Sequence, residues 1–283
     1  MRLMTYEVNG KTSFGVAEGE GVIDLGAAMG GKYADILSLL EADAVTEAGA
    51  AAAGRTPDHA LADVTYLPVI GNPNKIICVG LNYEEHRIET GREPSGYPVL
   101  FPRYANCQVG HQQPMVKPVN SDRFDYEGEM AVIIGKGGRH IAREDALSHV
   151  AGYSCYNDGS IRDFQGHTHQ YMPGKNFTGT GGFGPWMVTS DELPDPTVMT
   201  LTTRLNGKIV QQAQTDQMIF NIPHVISYIS SFMALQPGDV IASGTPGGVG
   251  AKRTPPLFMK DGDTVEVEIT RIGTLVNPIV NEA

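Results

Sequence analysis

Apolar and polar positions change register often along this chain, and the changes mark its elements. Up to residue 24, short β-prone pieces are separated by turns at Asn9-Gly10 and at residues 18–21, which predicts a small meander. In YADILSLLE the apolar Ile36, Leu37, Leu39 and Leu40 recur at helical spacing and predict one helix. The Ala/Gly-rich stretch to Gly54 has few large side chains and reads as a connector. Pro57, Pro68 and Pro73 then break the pattern, and from Lys75 it strengthens, which places a domain boundary near residue 70. Beyond it KIICVGL reads as a buried strand and residues 83–89 as a short helix. Further strands are predicted at EGEMAVIIG, VAGYSCYND, PWMVT, MTLTTRLNG, DVIASG and TVEVEITRIG. One long helix, NIPHVISYISSFM, has Asn221 as N-cap and Pro223 in its first turn.

Strands outnumber helices and few β-α-β alternations occur. The expected fold class is therefore mainly β (α+β), a mixed β-sandwich or roll. A small N-terminal α/β domain (1–70) is expected to precede a larger domain (71–283). Composition agrees, since 34 Gly and 18 Pro among 283 residues demand frequent turns and few long helices. The charge balance, 21 Lys plus Arg against 32 Asp plus Glu, gives −11 and argues against nucleic acid and anionic membrane surfaces as partners. No apolar run approaches the length of a membrane span, and none of signal-peptide length opens the chain, so a cytoplasmic protein is expected. Cys78, Cys107 and Cys155 are odd in number and widely spaced, which suits reduced, packed thiols.

The sharpest chemical feature is Glu127-Gly128-Glu129 at the head of the strand MAVII. Residues two apart on a strand share a face, so the two carboxylates emerge side by side, where each opposes the other's ionisation. Either they lie on a solvated edge or a cation joins them. Asp158, ending VAGYSCYND, offers a third carboxylate, and an all-oxygen set selects hard ions. His86 and Glu89, three apart on the short helix, can meet as a dyad in which the carboxylate orients a basic imidazole, or form a plain surface pair. Lys175, in MPGKNFTGTGGFGP, and Arg162 are candidates for a substrate carboxylate or enolate, or else ordinary loop and ion-pair residues. Residues 179–184 fit G-x-G-x-x-G by letter, but Pro185 follows and no strand-to-helix unit surrounds them, so no dinucleotide site is expected. His167 and His169 lack the further Cys or His ligands of a zinc site. GTPGGVG, residues 244–250, is no Walker loop, though its backbone N–H groups suit an anion nest.

In order, these pieces resemble the fumarylacetoacetate hydrolase family. GLNYEEHRIE (80–89) is similar to its G-x-N-Y-x-x-H-x-x-E, DYEGEMAVIIGK (125–136) to its metal-binding strand, and NDGSIRDFQ (157–165) to its N-D-x-S-x-R-D-x-Q. Lys175 with Gly184-Pro185, LNGKIVQQAQTDQMIF (205–220) and LQPGDVIASGTPGGVG (235–250) follow. The resemblance implies a mixed β-sandwich roll, a homodimer, and a divalent metal on Glu127, Glu129 and Asp158. That metal is Mg²⁺ or Mn²⁺, with Ca²⁺ as a crystal substitute. His86 and Glu89 match the water-activating dyad and Lys175 the third catalytic residue, while Arg162, Gln165 and Thr245 match substrate-side positions. Arg103 stands in place of a common F-x-K-P lysine, and its fork is expected to grip a substrate carboxylate. Arg87, Thr178, Gly182 and the segment GHTHQYMPG (166–174) also depart from the common pattern.

The activity so implied is hydrolysis of a carbon–carbon bond in a 1,3-diketo or 2,4-dioxo acid such as an acylpyruvate or fumarylpyruvate. Decarboxylation or isomerisation of an oxo- or hydroxy-diene diacid on the same site is the alternative. A metal-binding protein without catalysis is the remote one.

Overall fold

The computed structural model describes residues 1–283. Its first strands, β1 (Arg2–Val8), β2 (Lys11–Glu18) and β3 (Gly21–Asp24), form the predicted meander. Asn9 and Gly10 both take positive φ (52° and 72°), the conformation that a two-residue hairpin turn requires and Asn-Gly supplies. Helix α1 (Ile36–Glu41) starts at a capping box in which the Asp35 carboxylate accepts the Ser38 N–H at 2.7 Å. The expected connector after it is helical instead, as α2 (Val45–Ala52). Alanine favours helix strongly, and only the small Ala48 and Ala52 need burying to seat it.

Strand β4 (Ile76–Gly80) leads into α3 (Glu84–Thr90), which ends at Gly91 in the left-handed region. The chain then forms β5 (Val99–Arg103), β6 (Gly128–Ile134) and β7 (Val150–Asn157), the short helices α4 (Arg162–Gln165) and α5 (Met172–Lys175), and β8 (Gly181–Thr189). A hairpin of β9 (Thr200–Leu205) and β10 (Lys208–Gln214), helix α6 (Ile222–Phe232), β11 (Val240–Ala242), β12 (Thr264–Ile269) and β13 (Gly273–Asn281) complete it. Asn221 caps α6 as expected, accepting the His224 N–H at 3.1 Å.

Two large sheets and a two-stranded pairing of residues 124–125 with 160–161 result, and the chain is mostly β. The larger has twelve strands, in the order β3-β2-β1-β8-β7-β6-β11-β4-β5 along its main path, and β5 carries Pro102 at its edge, where a missing N–H is tolerated. The smaller has five, including β10-β9-β12-β13. Strand β6 is buried on both faces. Met130, Val132 and Ile134 face the second sheet and α6, whereas Ala131 and Ile133 face α1 and the meander. Each of the larger ones contributes roughly 1.5–3 kcal/mol, so β6 is an anchored platform for what precedes it.

The expected boundary at residue 70 does not separate two cores. Strand β1 pairs with β8 (Leu3↔Met187), and Leu3, Ile23 and Leu39 share a cluster with Cys78, Ile133 and Val240. Strand β8 also begins earlier than the glycine-poor PWMVT suggested. A Cβ on Gly181 would stand 2.5 Å from Gln108 Oε1 and 2.8 Å from Arg103 Nη2, so the glycine here leaves room for packed side chains rather than marking a turn. No helix is long and apolar enough to cross a membrane.

His111 links the sheets, its Nδ1 accepting the Val276 N–H at 3.0 Å, and burial pushes its pKa down to about 4 from 6.5. The unfolded chain therefore binds a proton that the folded chain refuses, so this stability is present above about pH 6.5 and is lost as the pH falls toward 4. His111→Gln should lose less stability between pH 7 and 4 than wild type in urea titrations. Equal losses would contradict this.

Candidate active site

Three carboxylates meet where β6 begins and β7 ends. Glu127, Glu129 and Asp158 are 4%, 2% and 0% exposed, and one oxygen of each lies within 4.8 Å of the others. The pairing of Gly128 with Asn157 sets this up. Asn157 Oδ1 accepts the Glu127 N–H at 3.0 Å, and the Asp158 N–H donates to the Glu127 carbonyl at 2.9 Å, so both acids leave adjacent strand ends together. The face-sharing inferred for Glu127 and Glu129 thus brings them to one buried site rather than a solvated edge.

Three cations surround the acids. Lys175 Nζ, 1% exposed, lies 2.6 Å from Glu127 Oε2 and 2.6 Å from Asp158 Oδ2. Arg162 donates Nε–H to Asp125 Oδ2 at 2.7 Å and lies 2.7 Å from Glu127 Oε1 through its Nη1. Arg103 reaches Asp158 Oδ1 at 2.6 Å, the Gly159 carbonyl at 2.9 Å and Thr180 Oγ1 at 3.0 Å. With Asp125, four carboxylates face three cations, and the uncompensated one is Glu129. It forms no ion pair and accepts only the Gly244 N–H, at 2.8 Å.

The titration directions follow this wiring. Burial would raise the Glu127 carboxyl, but Lys175 and Arg162 outweigh it and hold the group below the carboxylate range. Burial, then Asp158 and Glu127, push Glu129 well above that range. Burial would lower the Lys175 ammonium, but Asp158 and Glu127 raise it. A buried carboxylate disfavoured as an anion, beside two others in an all-oxygen set, fits a hard divalent cation. Glu127, Glu129 and Asp158 are the residues that would hold it.

His86 is buried on α3, and its Nδ1 lies 2.7 Å from Glu89 Oε1. With that carboxylate accepting Nδ1–H, Nε2 is left as the basic nitrogen. A cleft of about 520 Å³ opens over the cluster, and His86, Glu127, Glu129, Arg162, Gln165, Lys175 and Thr245 line it. Glu89 stands behind His86, and Asp158 lies beneath the cleft floor. Arg103 does not line the cleft, so the expected grip on a substrate carboxylate is corrected. Its strand turns it toward the buried side of Asp158, where it holds that acid. Arg87 is likewise away from the cleft, paired with Glu84 at 2.5 Å.

Sequence reasoning missed two residues. Asp125 fixes Arg162, while Gln211 accepts the Gly128 N–H at 3.0 Å and donates to Thr245 Oγ1 at 2.8 Å. Asp125 sits within DYEGE, two residues before Glu127, and that proximity was the available signal. Gln211 carried none, because its role depends on how the second sheet stacks on β6.

Comparisons with known proteins place the chain in a family. The family described as fumarylacetoacetate (FAA) hydrolase C-terminal matches residues 75–280. The Homo sapiens protein named oxaloacetate tautomerase FAHD2A, mitochondrial, is 40% identical over 232 residues, covering 81% of this chain and 74% of the relative. Among solved structures, a putative HpcE protein from Mycobacterium smegmatis superposes with a TM-score of 0.90 at 34% identity, covering 100% of both chains. Maleylpyruvate hydrolase from Sphingobium sp. SYK-6, in complex with manganese(II) ion and pyruvate, superposes at 0.83 and 30% identity, again over 100% of both. With a matching profile over most of its length, relatives of this similarity and the buried acidic triad in place, the chain belongs to the fumarylacetoacetate hydrolase family.

Proposed function

We propose that this protein is a divalent-metal-dependent hydrolase that cleaves a carbon–carbon bond in a 2,4-dioxo acid bearing a second carboxylate. The observation that carries this reading is the His86–Glu89 pair opening onto the same cleft as Glu127 and Glu129. Bound Mg²⁺ or Mn²⁺ would supply Lewis acidity to two substrate oxygens and offset enolate charge. His86 Nε2 takes a proton from water as its oxygen adds to the distal carbonyl carbon, and Glu89 stabilises the resulting imidazolium. The carbon–carbon bond then breaks, its electron pair forms an enolate, and the imidazolium proton passes to the enolate carbon. Lys175 and Arg162 provide positive charge on the wall where that enolate develops.

The second carboxylate is inferred from how the cations divide. Arg103, Arg162 and Lys175 are taken by buried acids, whereas Arg92 and Lys252, which also line the cleft, have no carboxylate partner. His167 and His169 line it too, and Glu127 and Glu129 are its only acidic lining residues. Unpaired cations in a cleft whose only acids are the triad carboxylates suit the far end of a diacid.

A second reading, keto–enol tautomerisation of oxaloacetate, is favoured by the names of the relatives about 40% identical. The same dyad would move one proton between carbon and oxygen without consuming water. Mn²⁺-loaded protein should be offered fumarylpyruvate, acetylpyruvate and oxaloacetate in H₂¹⁸O, with products followed by mass spectrometry. Hydrolysis predicts ¹⁸O in one acid fragment and about tenfold higher kcat/KM for fumarylpyruvate than acetylpyruvate, a gap that Arg92→Ala/Lys252→Ala narrows to about threefold. Oxaloacetate enol loss without labelled fragments would favour the second reading, and inertness toward all three would favour a non-catalytic metal binder. A homodimer in the cytoplasm belongs to the proposal, although the human relative's name is mitochondrial. Mass in solution and fractionation test those parts.

A further inference from the structure

Four backbone N–H groups of one glycine-rich loop, residues 244–251, end on three different carboxylates. Gly244 donates to Glu129 at 2.8 Å and Gly248 to Glu89 Oε2 at 2.9 Å. Gly250 and Ala251 donate to the two oxygens of Asp125 at 2.8 and 2.9 Å. The anion nest expected from GTPGGVG therefore holds the protein's own acids, one from the triad, one from the dyad and one that fixes Arg162.

The loop also touches α3 directly. A Cβ at Gly247 would stand 3.0 Å from Cβ of Glu85, so the first turn of the helix rests directly on the bare loop backbone. The next residue, Gly248, sits at φ +102°, with the Val210 carbonyl 2.4 Å from where its Cβ would be. Its own carbonyl accepts from Arg253 Nε at 3.1 Å and from the Tyr126 hydroxyl at 3.3 Å, and Gln211 Nε2 donates to the Pro246 carbonyl at 2.9 Å. The seat is thus anchored to the second sheet. Helix α3 is not anchored in itself, because seven residues make too short a helix to persist unaided.

We infer that Gly247 and Gly248 are positioning residues for the dyad. Gly247 permits the close approach of α3, and the Gly248 N–H hooks Glu89, so together they set His86 over the triad. The inference rests on the proposed function only in giving His86 a chemical task.

Gly247→Ala in the Mn²⁺-loaded protein tests it. The methyl would lift α3, and kcat should fall about tenfold or more, while KM and calorimetric affinities for Mn²⁺ and oxalate stay within about twofold of wild type. Adding Glu85→Gly, which removes the atom the methyl strikes, should restore kcat to within about threefold. Amide hydrogen exchange over residues 84–90 should quicken in Gly247→Ala, a readout independent of turnover. Unchanged exchange with unchanged kcat, a loss that Glu85→Gly does not relieve, or Mn²⁺ affinity falling in step with kcat would each overturn the inference. If wild type turns over no oxo acid, the proposed function falls and the exchange experiment still decides whether the loop seats α3.

Discussion

Glu129→Gln is expected to weaken divalent-ion binding by about a hundredfold or more and to abolish measurable turnover, with the chain still folded. The substitution is isosteric, and its amide oxygen can still accept the Gly244 N–H that Glu129 accepts at 2.8 Å. It also removes the one carboxylate of the cluster without a cation partner, so the metal-free protein should melt no lower than wild type. Asp158→Asn would be a poorer experiment, because it leaves Arg103 and Lys175 facing a neutral group in a fully buried site. Calorimetric titration with Mn²⁺ and thermal melts with and without metal separate the two effects. Wild-type affinity in Glu129→Gln would remove this residue from the metal site.

The second large effect falls on the dyad. His86→Gln removes the only imidazole next to the triad that also has a carboxylate at hydrogen-bond distance, and turnover should drop about 10²- to 10⁴-fold. Mn²⁺ affinity should hardly move, since the three acids and their counter-ions lie on other elements. Glu89→Gln should cost less, because its amide oxygen still orients Nδ1–H and only the stabilisation of the imidazolium is lost. Steady-state kinetics beside metal titration measures both. An undiminished kcat in His86→Gln would exclude it as the base.

How far this site could be read from sequence depended on the distance over which each interaction acts. Glu127 and Glu129 are related by strand alternation, and His86 and Glu89 by a helical turn, so local periodicity put each pair on one face, while the choice between a site and a solvated pair came from the family resemblance. Asp158 needed the pairing of two strands, and the family resemblance supplied it. Arg103 shows where that reading stopped. Its partner lies 55 residues away, and a guanidinium prepared for a carboxylate looks the same in sequence whether the carboxylate belongs to a ligand or to the protein. The same applies to the loop at 244–251, whose N–H groups meet acids up to 159 residues distant. In the fold, α2 was missed because small side chains give a weak helical pattern, and the start of β8 because its glycines reflect close packing rather than a turn. The division near residue 70 was a real shift in patterning, yet β1 crosses it by pairing with β8.

Anomalous diffraction from crystals soaked in Mn²⁺ tests the central claim most directly. One strong peak is expected, bonded to an oxygen from each of Glu127, Glu129 and Asp158, on the floor of the cleft that His86 lines. Data of good quality with no peak there, and Lys175 still bridging Glu127 and Asp158, would contradict it.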